Sequence, residues 1–189
     1  MVLSKPTVHS TDKNLAVPGI TKVVELFSNV QKKGEQDILT MFLYVMDREG
    51  KSLCYLSTTF FARIHSHSKN SMRGFSLLLN EAILGDFYEL FKKSKVATIF
   101  TKEKGIVDTP GHPEKKCEFF IKDFGYDAIE ASAVIGMLLD EVFNCKPSEV
   151  TFQIQLFGYD SEGKEVESIV EFDSDGEMIA KSGWAFFSQ

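Results

Sequence analysis

The apolar positions change period several times along the chain, and each change marks an element. From 19 to 33, Ile20, Val23, Val24, Phe27 and Val30 recur at helical spacing, with Lys22, Glu25, Asn29 and Lys33 elsewhere and Gly34 as a stop. That pattern predicts an amphipathic surface helix. Residues 38–46, ILTMFLYVM, are apolar except at Thr40, which predicts a strand covered on both faces. Asp47 to Lys51 then reads as a tight turn with Gly50 in the left-handed position, before a return strand, SLCYLSTTF. Residues 61–71 show no period. In 72–93, Phe75, Leu78, Leu79, Ala82, Ile83, Phe87, Leu90 and Phe91 make a broad stripe that predicts a second, long helix, and Lys92 and Lys93 suit the negative end of its dipole.

After KVATIFT, read as a short strand from Lys95, residues 102–116 hold Gly105, Pro110, Gly111 and Pro113 and are expected as an exposed loop. CEFFIKD, from Cys117, resumes as a strand. Residues 127–143, DAIEASAVIGMLLDEVF, are apolar around most of a helical wheel, with Ala128, Ser132 and Gly136 on one small-residue flank and Glu130, Asp140 and Glu141 in one narrow polar sector. Such a helix is expected to be covered on two sides, with the small flank against the sheet. Asp127 and Glu130 read as a capping box at its start, and Asn144 and Lys146-Pro147 stop it. From 149 to 159 the alternation is clean, Val150, Phe152, Ile154 and Leu156 opposing Thr151, Gln153 and Gln155, so one face is buried and one is wet. The turn at 160–164, the return strand KEVESIVEF and the turn at 173–176 complete a three-stranded meander. D-x-E-G-K occurs at 47–51 and again at 160–164. Because Asp and Gly are what short hairpins prefer, and the flanking strands share no side-chain pattern, turn chemistry explains this recurrence more simply than duplication does.

These elements define an α+β fold: a mainly antiparallel sheet of about seven strands, with two long helices (72–93 and 127–143) and one shorter helix (19–33) packed on it. Residues 1–18, polar and broken by Pro6 and Pro18, are expected as a loose arm, and 19–189 as a single domain.

Composition sharpens the picture without naming a function. Seventeen phenylalanines against five tyrosines and one tryptophan point to rings that fill a core. No run of 18 apolar residues and no signal-peptide pattern occur, so no membrane association and a cytoplasmic location are expected. Three scattered cysteines, Cys54, Cys117 and Cys145, indicate neither a disulfide framework nor a thiolate metal site. The net charge of −6 disfavours nucleic acid as a partner. That charge is uneven: 160–177 holds eight acidic residues and one lysine, whereas 91–116 holds seven lysines and three acidic residues.

Candidate chemistry is sparse. His65 and His67, one residue apart, share a side of an extended chain and can chelate a divalent metal if His112 approaches, although a hydrated loop is the simpler account. Asp173-Ser174-Asp175-Gly176 opens like a calcium loop but places its glycine fourth and a tryptophan last, which excludes that reading. No phosphate-binding, dinucleotide-binding, zinc-protease or nucleophile-elbow motif is present. Glu165, Glu167 and Glu171, beside Tyr159 and Ile169 on a wet sheet face, suit a basic partner. The expected function is therefore a non-catalytic, cytosolic protein-binding domain, monomeric or homodimeric, in a chaperone-like, immunity-like or adaptor role and with no cofactor. The alternative is an enzyme or a carrier of a small ligand or metal, with a pocket between loops 61–71 and 102–116.

Overall fold

Eight strands join into one antiparallel sheet in the order β4-β5-β3-β2-β1-β6-β7-β8. The computed structural model describes residues 16–32, 38–58, 74–107, 115–159 and 164–183. The strands are β1 (Ile38–Met46), β2 (Ser52–Thr58), β3 (Phe75–Leu79), β4 (Thr101–Val107), β5 (Lys115–Gly125), β6 (Thr151–Tyr159), β7 (Glu165–Phe172) and β8 (Met178–Gly183). The helices are α1 (Pro18–Lys32), α2 (Glu81–Leu84), α3 (Tyr88–Lys93) and α4 (Ala128–Leu138). The fold class is α+β as the sequence indicates, with eight described strands rather than about seven.

All the helices lie on one face, over a core that includes Ile20 and Val24 of α1, Leu43, Leu56, Phe152 and Ile154 of the sheet, and Ile135 and Leu138 of α4. Helix α4 is the deepest element, buried from Ala131 to Leu138, and α1 packs against it. Its first turn is capped by the Asp127 carboxylate, which accepts from the Glu130 amide at 2.9 Å. The reciprocal half of the expected capping box is replaced: the Glu130 carboxylate pairs with Lys122 of β5 at 2.6 Å. Beyond Leu138 the helix widens into a π turn, Leu139–Phe143, and closes at Asn144 in the left-handed region (φ 50°). The small-residue flank meets α1 rather than the sheet, for Ser132 bonds the backbone of Val17 just before α1 begins.

Three expectations are corrected. Residues 72–93 are not one helix: Phe75–Leu79 is a strand, Asn80 caps α2 by accepting from the Ile83 amide at 2.9 Å, Gly85 (φ 51°) breaks the chain, and α3 follows. Every residue of β3 is buried between β2 and β5, so the strand has no alternation, and its apolar run merges with the stripe of the helices after it. KVATIFT is not a strand either. Val96–Ile99 forms a tight helical turn whose first amide, at Val96, donates to the Glu141 carboxylate at 3.1 Å. Residues 102–116 are not a loop throughout, since β4 and the start of β5 pair from Thr101↔Ile121 to Val107↔Lys115. Lysine and glutamate alternating on an edge strand hide it from a search for apolar periods, and such charges are a usual protection of an open edge.

The topology repeats. α1-β1-β2-β3 and α4-β6-β7-β8 are each a helix followed by a three-stranded meander, and the two join where β1 pairs antiparallel with β6. The mid-strand residues Phe42 and Gln155 face each other, so an approximate two-fold axis passes between them. A shift of 113 residues (38 to 151, 46 to 159) carries β1 onto β6, and the same shift carries Asp47 onto Asp160. The turn motif alone is weaker evidence of this relation than the topology. The turn at Asp173, which occupies no equivalent position, has the same geometry as that at Asp47: each Asp carboxylate accepts from the amides two and four residues on, and each turn has glycine at positive φ (Gly50 78°, Gly176 81°). These bonds also account for the Asp173 carboxylate in structural terms.

Candidate functional site

The sheet face opposite the helices carries the most distinctive surface among the described residues. Alternation along β1 sends Leu43 and Val45 into the core and leaves Phe42, Tyr44 and Met46 half-buried on the other side, where no described element packs over them. The second face of β1, expected to be covered, is therefore only half-buried. Register brings Tyr55 opposite Tyr44, and Phe157 joins from β6. The four rings form one cluster: Phe42 meets Phe157 edge-on at 5.8 Å and Tyr55 edge-on at 6.3 Å, and Tyr44 lies 5.6 Å from Tyr55. Such tilted and T-shaped contacts match the positive edge of one ring to the negative face of another.

The rim of this cluster is polar and acidic. Phe157 pairs with Glu167, Gln155 with Ile169, Gln153 with Glu171, and Tyr159 with Glu165. The six positions of the first three pairs share the face of Phe42 and Tyr44, because directly opposed residues of an antiparallel ladder point the same way. Glu167 is exposed, Ile169 and Glu171 are half-buried, and Gln153 donates to the Glu171 carboxylate at 3.2 Å. Tyr159 and Glu165 occupy opposed backbone positions at the end of the ladder. On β1, β2, β6 and β7 this face has no lysine or arginine at any position. Burial, with the Glu167 charge adding to it, raises the Tyr44 phenol above its ordinary value. Tyr55 is raised by burial and by its neighbour Tyr44. Both therefore stay neutral donors at physiological pH, beside carboxylates.

A second feature lies on the helical side at the other end of the sheet. An open cavity of about 570 Å³ is lined by Glu81, Tyr88, Lys104, Ile106, Lys116 and Glu118, with Gly105 and Cys117 between them. It sits within the segment read as a loop from sequence, on the hairpin that the segment forms.

Of the residues singled out in the sequence, Glu167, Ile169 and Glu171 occupy one face of β7, and Tyr159 and Glu165 are opposed backbone positions of the same ladder. His65, His67 and His112 lie outside the described residues, as do segment 61–71 and the apolar C-terminal run 184–187. Among the described residues no group of three His, Cys, Asp or Glu side chains is placed to hold a metal ion. Sequence reasoning missed the ring cluster. Its only signals were aromatic residues two apart at Phe42 and Tyr44 and single rings at Tyr55 and Phe157, whose meeting depends on strand register.

No protein-family model matches the chain, and no curated protein or solved structure is significantly similar to it. No helix among the described residues is long and apolar enough to cross a membrane.

Proposed function

We propose that this chain is a non-catalytic, cytosolic protein-binding domain that receives a basic segment of another protein on the sheet face opposite the helices. One observation carries the reading: four half-buried rings gathered on the sheet face opposite the helices, rimmed by carboxylates and with no lysine or arginine at its positions on β1, β2, β6 and β7. Clustered aromatic residues supply large contact area at low entropic cost, and a ring face attracts Lys and Arg. Glu167 and Glu171 steer a cationic partner toward the rings. The partner chemistry this implies is an Arg- or Lys-bearing segment with apolar side chains between the cations.

The test compares capture of partners from cell extract by the wild type, by Tyr44→Ala, by Glu167→Lys/Glu171→Lys, and by Lys104→Glu as a control far from the face. A specific partner should be held by the wild type and the control and lost by both face variants, with binding weakening as salt rises. Equal capture by all four proteins would sink the proposal. Loss in the control alone would move the interface to the other end of the sheet.

A further inference from the structure

We infer that the cavity beside the β4–β5 hairpin is a binding site for a small amphipathic anion, a phosphate or carboxylate joined to an aromatic or other apolar group. Register places Lys102, Lys104 and Ile106 of β4 opposite Phe120, Glu118 and Lys116 of β5. These residues face the helices, since Phe120 is buried in the main core and the ring of Tyr88, from α3, stands edge-on to it at 6.4 Å. The outer half of the hairpin projects past the cover that α2 and α3 provide. Ile106 is accordingly 52% exposed while Tyr88 and Glu81 form a wall beside it. The volume, about 570 Å³, falls within the range of small-molecule sites.

The charges decide the class of ligand. Lys102 is occupied by Glu118 at 2.8 Å, and Lys92, whose ammonium stands 4.9 Å from the Tyr88 ring centre, is occupied by Glu89 at 2.8 Å. Those contacts hold Glu118 and Glu89 below the usual carboxylate range. Lys104 and Lys116 both line the cavity, and neither has a carboxylate within ion-pair distance among the described residues. Lys104 and Lys116 thus stand beside one apolar wall made by Tyr88 and Ile106, with Glu81 and Glu118 also on the lining. An anion is attracted by the two lysines, and an attached ring or short chain covers the apolar wall. A bare inorganic anion would leave Ile106 and the Tyr88 ring in water, and a neutral apolar molecule would leave the ammonium groups unpaired.

Phenyl phosphate serves as the probe, with inorganic phosphate and phenol as its two halves. Binding is read by amide chemical shifts at 104–106 and 116–118. Phenyl phosphate should shift these amides saturably, and each half alone should bind at least about tenfold more weakly. Lys104→Ala and Lys116→Ala should each weaken binding by about tenfold or more, the loss expected for one charge-assisted contact. Tyr44→Ala, on the opposite face, should leave it unchanged. The inference is overturned if phenyl phosphate gives no saturable shift, if the lysine variants bind it as well as the wild type, or if inorganic phosphate binds equally well. Melting each variant beforehand separates lost affinity from lost folding.

Discussion

The buried hydroxyl of Ser132 in α4 holds both polar groups of the Val17 backbone, accepting from its amide at 2.7 Å and donating to its carbonyl at 2.8 Å. Both residues are fully buried, and 115 positions separate them. Where the chain enters α1, this side chain satisfies the Val17 amide, which no helix bond reaches, whereas the Val17 carbonyl also accepts from the Ile20 and Thr21 amides.

Replacing that hydroxyl should therefore cost more than one hydrogen bond. Ser132→Ala leaves the buried Val17 N–H without this partner, while the carbonyl keeps the Ile20 and Thr21 amides, a penalty of about 1–3 kcal/mol. Denaturant unfolding measures it. A midpoint within error of the wild type would show that the α1 entry opens to water or that the amide finds another partner.

Gly19, two residues on, allows α1 to dock on the β7–β8 turn. Its amide donates to the Ser174 carbonyl at 2.7 Å, and a Cβ there would stand 2.6 Å from that same oxygen. Gly19→Ala should destabilise by about 1–3 kcal/mol through overpacking against rigid backbone, even though alanine is the better helix former. A gain in stability would mean that the turn shifts freely and does not anchor the helix.

Cys54 is fully buried in the sheet, and burial pushes its thiol up to about 12 from an ordinary 9.0. The folded state thus holds this proton more tightly than the unfolded state. The contribution to stability is complete below pH 9, and it is lost as pH rises from there toward 12, by about 1.4 kcal/mol per unit inside that window. Unfolding free energies of the wild type and Cys54→Val measured from pH 8 to 10.5 should converge or cross as pH rises. At pH 8 the thiol should stay inert to disulfide reagents until the protein unfolds, and rapid labelling of the native chain at Cys54 would contradict its burial.

Much of the fold was legible where local pattern and environment agree. β6 and β7 alternate because one face is in the core and the other is not, and α4 carries its own start and stop signals at Asp127 and Asn144. Legibility failed where a neighbour decides. β3 is a strand because β2 and β5 flank it, which five buried residues cannot announce by period, and β4 is paired despite a composition that reads as a loop. The acidic rim of the ring-bearing face could be read from one strand, whereas the rings could not, since Tyr55 and Phe157 are about a hundred residues apart until register aligns them. The cavity needed more still, because its apolar wall joins Tyr88 of α3 to Ile106 of the hairpin that carries its cations.

The seam between β1 and β6 also sets a timetable for synthesis. β1 can pair with β2 as soon as the first hairpin leaves the ribosome, but its other edge has no native partner until residues 151–159 are made. At about 5–20 residues per second, the chain needs roughly 5–20 s to supply the intervening hundred or so residues. Throughout that interval an apolar strand, ILTMFLYVM, offers a row of unpaired amides and carbonyls to any passing chain. The nascent protein is therefore most prone to aggregate between completion of β2 and arrival of β6, and a chaperone that shields this strand would act in that window.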